Sequence, residues 1–464
     1  MKIKRLPVVI LLLLSLSCNA VTRIFVPPTL TPTTTPTPTA TFTPSPTPLT
    51  AGLYVPPECQ AKPVATLPPA TVMAEPTLSL GLNPVISTAE QLRVFDALTK
   101  KISAVYLYPD FNGLDWKATV AQYRALVKAG LDSETFYAKM SELVAKLNDD
   151  HSTFLSPLEL KAADTALSGH NDYVGIGVVI QPMIEKNRLT ILSVFPGSAA
   201  DHAGLKQHDS LLAADGIPLI QKGVPHTEWV RGPECSATVL TVQSPGQAVR
   251  QVMFMRYHVT APLPIIAQLV PTTDGSRIGY IYIPSFFDET IPGQITKALE
   301  DFGKLDGLIL DNRQNTGGSS SVVMPILGHF TSGVVGHFVS RTGTEPFEIS
   351  ADPINNSQTV PLIVLVGTGS VSFGEIFSGI LQDLGRAKVV GQTSLGNVEL
   401  LALYNFEDGS QAWIAQQRFD PLNSHANWEK TGIIPEVQAY ADWDTFTFET
   451  DPAVAASVKL LGHK

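Results

Sequence analysis

The sequence predicts an α/β core with a mostly parallel sheet, preceded by an N-terminal helical domain and a smaller β-rich domain. Three observations carry this. From about Pro262 to Tyr440, short apolar runs alternate with helical patterns, as parallel strands joined by crossover helices require. Before residue 150 the apolar residues recur at helical spacing, as in Leu92, Phe95, Leu98, Ile102 and Val105. Between Tyr173 and about residue 258 the pattern turns strand-like, as in Tyr173–Ile180 and Leu189–Val194. The chain has 464 residues, enough for about three domains.

The first residues read as targeting rather than fold. Met1 to Arg5 is positively charged, Leu6 to Leu14 is apolar but too short to span a bilayer comfortably, and Ser15-Leu16-Ser17-Cys18 follows. This resembles a bacterial lipoprotein signal over 1–18, with Cys18 as the lipid acceptor. Simple secretion or a retained anchor are the alternatives. Each places the protein outside the cytoplasm, on the outer face of the cell membrane or secreted. Residues 19–85 are rich in Pro and Thr, as in Thr31–Thr39, and lack amphipathic periodicity, so a disordered stalk is expected. Charged residues are 16%, the net charge is −10, and no Lys/Arg cluster follows Arg5, which argues against nucleic acid as a partner. With Cys18 set aside, Cys59 and Cys235 remain. They form either a disulfide pinning the stalk to a folded domain or two unpaired thiols.

Residues 86–168 form the helical domain. Ser87 and Glu90 make a capping-box pattern, a second helix runs near Trp116–Lys128, and a third starts at Ser133 with Phe136, Met140, Leu143 and Leu147 on one face. Residues 169–260 form the β-rich domain, with a short helix after Pro196-Gly197-Ser198 and a turn at Asp215-Gly216. These features, with Gly175-Ile176-Gly177-Val178, resemble a PDZ domain. The resemblance implies that Val174, Gly175, Ile176, Gly177 and Val178 form a loop receiving a peptide carboxylate. Residues 261–464 are the core. Its strands include Ile278–Ile283, one starting at Leu308 and Pro361–Gly367, and its helices Gly293–Leu305, Val322–Phe330 and Gly374–Gly385.

Ser372 lies where the apolar run Pro361–Gly367 passes into the helix ending at Gly385. A hydroxyl there is held near a helix N-terminus that favours negative charge. The Leu308 strand ends in Gly317-Gly318, which permits close backbone approach and can offer N–H donors. Both fall beyond strand C-terminal ends, where sites in parallel sheets lie. The segments Asp311-x-Arg313-x-Asn315-x-Gly317-Gly318, Ser370-Val371-Ser372-Phe373-Gly374-Glu375 and Val390-Gly391-Gln392-Thr393-x-x-Gly396 resemble, in order and spacing, the carboxyl-terminal processing peptidases and their tricorn-like relatives.

That resemblance implies a serine endopeptidase acting through an acyl-enzyme on peptides or unfolded protein tails. Ser372 matches the nucleophile, and the N–H groups of Phe373 and of Gly317 or Gly318 match the oxyanion hole. The base in processing peptidases is a lysine, and its position here is Asn397, an amide that cannot take the proton. Asp149-Asp150-His151-Ser152 matches the segment supplying histidine in the tricorn-like branch, and Glu429-x-x-Gly432 the one supplying its glutamate. His151 is then the base and Glu429 the group that orients it. Plainer readings stand beside these: Ser372 as a helix N-cap, His151 as a partner at a helix C-terminus, Glu429 as a solvated charge. His425 is a rival base. Asp311, Arg313 and Asn315 read as scaffold, and Glu375 as a first-turn charge meeting the helix dipole. Because of Asn397, an inactive PDZ scaffold binding carboxyl-terminal peptides is the alternative function. Ser372 lacks Gly-x-Ser-x-Gly flanks, which argues against an α/β-hydrolase. No zinc-type spacing, His-Glu-x-x-His or phosphate loop occurs, so no metal or organic cofactor is expected.

Overall fold

A computed structural model describes residues 54–60, 82–161 and 172–464. The expected signal segment, Cys18 and most of the stalk lie outside the described residues. No helix among the described residues is long and apolar enough to cross a membrane.

The helical unit follows its sequence signals. Helix Thr88–Val105 starts at the Ser87 capping box, Trp116–Lys128 at an Asp115 cap and Ser133–Ala145 at an Asp132 cap. Their apolar faces meet in a core of Phe95, Leu98, Ile102, Phe136, Met140 and Leu143. Ala412, Ile414 and Ala415 from the C-terminal half complete that core, so the helical unit is not self-contained.

The central sheet has six strands, in the order Ile266–Val270, Ile278–Tyr282, Gly307–Asp311, Leu362–Val366, Lys388–Gly391 and Val437–Gln438. The first pair is antiparallel and the other four ladders are parallel. Every residue of Ile278–Tyr282, Gly307–Asp311 and Leu362–Val366 is buried, as expected of strands covered on both faces. Helices Ile291–Phe302, Ser320–Gly328 and Phe373–Asp383 contribute to the core on one side, and Trp443, Phe446 and the Pro452–Leu460 helix to the core on the other.

Every other ladder among the described residues is antiparallel, so the chain as a whole is mixed rather than mostly parallel. Gln411–Pro421 anchors a second, five-stranded sheet, pairing with Thr153–Leu155, Gly333–Ser340 and Leu400–Asn405. The β unit is a six-stranded antiparallel sheet with Val178–Met183 at one edge.

Two expectations for this unit need correction. Tyr173–Gly175 is a strand paired with Tyr257–Val259, and Val178 opens the next strand, so the expected five-residue loop shrinks to a turn at Ile176-Gly177. That turn is packed: a Cβ on Gly177, at φ +84°, would lie 2.3 Å from the Ser198 Cβ. The helix after Pro196 is the single turn Ala199–His202. Residues 54–60, assigned to the stalk, instead lie on the β unit. A Cys59–Cys235 disulfide holds them, and Tyr54 stacks on His202 at 3.8 Å. Pro-rich composition carries no record of a covalent cross-link between distant residues.

The β unit meets the segment before the last helix through His208. Its Nδ1 lies 2.8 Å from the Trp443 carbonyl oxygen, and its ring packs on Trp443 and Phe446 at 4.4 Å each. Burial pushes this imidazole down to about 4, the Trp443 carbonyl offsetting only part. The folded state therefore binds the proton more weakly than the unfolded chain. His208's contribution is full above the ordinary 6.5 and is lost as pH falls towards 4, a span of about 3 kcal/mol. Thermal melting should show the midpoint falling across that window, and His208→Asn should flatten the fall.

Candidate active site

Ser372 sits at the start of helix Phe373–Asp383 with φ 55° and ψ −124°, a conformation that non-glycine residues rarely adopt. Its side chain makes no capping hydrogen bond, so the N-cap reading does not hold. The hydroxyl is half-buried rather than sealed in the core. The backbone fixes it instead. The Ser372 N–H donates to the Asn397 carbonyl at 2.8 Å, and the Val371 N–H to the Asn315 carbonyl at 3.0 Å.

The glycine loop lies directly against this turn. A Cβ on Gly317 would come within 2.8 Å of the Ser372 Cβ and 3.1 Å of the Phe373 nitrogen. The Gly317 N–H donates to Asn315 Oδ1 at 2.9 Å. The N–H groups of Gly318 and Phe373 have no acceptor among the described residues. Gly318, at φ +150°, leaves no room for a side chain, since a Cβ would lie 2.0 Å from the Phe286 carbonyl carbon. Gly318→Ala is expected to cost about 3–5 kcal/mol, from strain plus overpacking, read as a fall in the thermal midpoint.

Asp311, Arg313 and Asn315 are the scaffold of this loop. The Arg313 guanidinium donates to Asp311 at 2.5–3.1 Å and to Asp451 at 2.5–3.1 Å. Tyr280 Oη donates to Asp311 at 2.7 Å.

The Asn397 loop is held by a residue whose role the sequence did not reveal. Glu375, fully buried, accepts from Ser394 Oγ at 2.6 Å, the Gly396 N–H at 2.7 Å and the Asn397 N–H at 2.7 Å. Burial pushes this carboxyl up to about 7, against the pull of those three donors. Its position in the first turn of the helix predicts only a charge meeting the dipole, whereas the carboxylate is spent on the Ser394–Asn397 loop. Its burial is set by the packing of a loop 20 residues on, which no local pattern carries.

His151 is buried beside Glu429, with Nε2 to Oε2 at 3.4 Å. The contact is electrostatic, because Nε2 makes no hydrogen bond. Burial disfavours the charged imidazole, but the neighbouring Glu429 carboxylate outweighs it and raises the pKa above the ordinary value. The Glu429 Oε2 also accepts the Val398 N–H at 2.8 Å. The backbone thus links both halves: Val398 is held by Glu429, and Asn397 before it holds Ser372. No hydrogen bond joins the Ser372 hydroxyl to His151 among the described residues. His425 lies apart, exposed and paired with Asp420 at 3.2 Å.

A third carboxyl completes the cluster. Glu399 is buried and accepts from the Tyr108 hydroxyl. Burial first, and then the nearby Glu429 charge, push it up to about 8. Sequence reasoning passed over it. The available signal was a lone carboxylate inside the apolar run Val398-Glu399-Leu400-Leu401.

Residues 277–439, spanning the central sheet and the Ser372 turn, match the sequence model of Peptidase family S41. Over that segment the chain is similar to the S41 serine peptidases. The carboxyl-terminal-processing protease of Synechocystis sp. is 28% identical over 81% of this chain and 87% of its own length. The carboxy-terminal processing protease CtpB of Bacillus subtilis is 28% identical over 64% of this chain and 61% of its own. In fold, this chain is similar to the photosystem II D1 C-terminal processing protease, with a TM-score of 0.53 at 21% identity, covering 79% of this chain and 97% of that one.

Proposed function

We propose that this chain is an exported serine endopeptidase using a histidine in place of the usual lysine. The observation that carries the reading is Ser372: a strained hydroxyl with no capping bond, set beside the unpaired N–H groups of Phe373 and Gly318. The Ser372 oxygen attacks the scissile carbonyl carbon. Its proton passes to the ring nitrogen of His151 turned away from Glu429, and Glu429 steadies the imidazolium. The carbonyl oxygen, now anionic, accepts from the two N–H groups. Collapse expels the amine, which takes the proton back from His151. Water then releases the acyl group by the same steps. Peptide and base close the remaining gap to Ser372 on binding, as catalytic hydrogen bonds do when they tighten only in the complex.

Substrate delivery falls to the β unit, in a PDZ-like role. Its edge strand, through Gln181, Pro182 and Met183, borders a cavity of about 390 Å³ that also meets Gln314, Gly367 and Gln392, past the C-terminal ends of the central strands Gly307–Asp311, Leu362–Val366 and Lys388–Gly391. An extended peptide tail adds to that edge as a further strand. The Cys59–Cys235 disulfide fits an oxidising compartment, with Cys18 as the lipid anchor outside the described residues.

The test is hydrolysis of an unstructured peptide with a free carboxyl terminus, by wild type, His151→Ala and His425→Ala. Loss of about a thousandfold or more in His151→Ala alone supports the assignment. Loss in His425→Ala alone moves the base to the exposed loop. No turnover by wild type, with tight binding of peptide tails, leaves a peptide-binding scaffold.

A further inference from the structure

We propose that His151, Glu399 and Glu429 form a binding site for a divalent transition-metal cation of the zinc class, and that its occupation switches off His151 as a base. The second half rests on the catalytic reading above; the first does not.

Three residues from separate elements converge here. His151 precedes the strand Thr153–Leu155, Glu399 precedes Leu400–Asn405, and Glu429 lies in the turn Trp428–Thr431. Each offers one donor atom, and the three atoms lie within 4.8 Å of one another. Two of these residues are left unsatisfied: His151 Nε2 and Glu399 Oε2 are buried with no hydrogen bond, on side chains of residues only 2% and 3% exposed. A buried polar atom without a partner is costly and calls for one. The third is already oriented from outside the cluster, since the Val398 N–H holds Glu429, and the Tyr108 hydroxyl holds Glu399 by its other oxygen. Such outer hydrogen bonds aim ligands at a metal.

The spacing and donor types select the ion. Zinc bonds to nitrogen and oxygen of about 2.0–2.1 Å put tetrahedral ligands about 3.3 Å apart. The His151 Nε2 to Glu429 Oε2 separation is 3.4 Å. Drawing the third donor in from at most 4.8 Å needs only a small side-chain rotation. One imidazole nitrogen with two carboxylate oxygens suits zinc-like ions. Calcium and magnesium require more oxygen ligands than three such groups and the surrounding packing supply. The fourth position goes to water.

A cation on Nε2 fixes the remaining imidazole proton on Nδ1. The lone pair that would accept the Ser372 proton is then gone, so metal-bound His151 cannot act as base. Sequence spacing did not signal the site, because its ligands are 248 and 30 positions apart (151 to 399, 399 to 429).

The test uses the full chain, stripped with a chelator, titrated with zinc sulfate by calorimetry. One zinc per chain is expected to bind. Glu399→Gln and Glu429→Gln should each weaken binding by about tenfold or more, and His151→Gln by more still. Circular dichroism establishes that each variant is folded, and the three provide independent readings should one fail. In peptide hydrolysis, zinc should inhibit with a midpoint equal to its Kd, and calcium at millimolar concentration should not. Absence of binding, or binding that all three folded variants retain, overturns the site. Zinc binding as described with no wild-type turnover keeps the site and removes the inhibition. Turnover insensitive to bound zinc overturns the switch while leaving the site.

Discussion

Ser372→Ala is expected to cut peptide hydrolysis by about ten-thousandfold or more while the melting temperature stays within about one degree. The two effects separate because the Ser372 hydroxyl supports no part of the fold. It caps no helix, while its N–H and carbonyl hold the Asn397 strand approach and the first turn of Phe373–Asp383 through backbone bonds that alanine keeps. Ser372→Gly extends the argument. At φ 55° and ψ −124° a side chain is strained by about 1–3 kcal/mol, and glycine removes that strain at a smaller entropic cost. The glycine variant should be as inactive as the alanine variant, yet about 1 kcal/mol more stable by denaturant unfolding. A stability loss in Ser372→Gly would mean that the hydroxyl is structural after all.

The second large effect concerns Arg313→Met, which is expected to destabilise the protein by about 3–5 kcal/mol. Arg313 is buried between Asp311 and Asp451 and lies over the rings of Trp443 and Phe446 at 5.0 and 5.4 Å. Methionine fills much of the space but leaves two carboxylates facing each other without a cation. Asp451 also caps the Pro452–Leu460 helix through the Ala453 and Val454 N–H groups, so repulsion loosens that helix first. Limited proteolysis should cut near residue 451 well before the rest. Adding Asp311→Asn and Asp451→Asn to Arg313→Met should recover most of the loss, since Asn keeps the cap and removes the charges. Failure of that rescue would show that the guanidinium acts by packing instead.

Much of the central architecture was legible because it is local. The Pro361–Gly367 run and the helical spacing after Ser372 give strand Leu362–Val366 and helix Phe373–Asp383 within two residues of the sequence reading. Ser87 and Glu90 form the capping box their spacing implies. The second sheet was not legible. Gln411–Pro421 carries Gln416, Gln417 and Arg418 among its apolar residues, and its partner Thr153–Leu155 lies more than 250 residues away. Register between such distant strands is decided by which faces can be buried together. The site divides the same way. Ser372, Gly317 and Gly318 sit in motifs with fixed spacing. Glu375 and Glu399 matter because loops from elsewhere fold over them, and burial of a carboxylate has no local signature.

The Cys59–Cys235 bond has a mechanical consequence. It joins positions 176 residues apart. Tension applied to the N-terminal side of Cys59 therefore enters the folded body at Cys235, through sulfur, and bypasses everything from Gln60 to Glu234. The covalent chain of the helical unit and of most of the β unit is bypassed, and force reaches the helical unit only through packing, as where Ala412, Ile414 and Ala415 complete its core. A molecule pulled from its N-terminus against a bulky substrate would load the core first, and the force would reach His151 only through the Thr153–Leu155 ladder on Gln411–Trp413 until the cross-link is reduced.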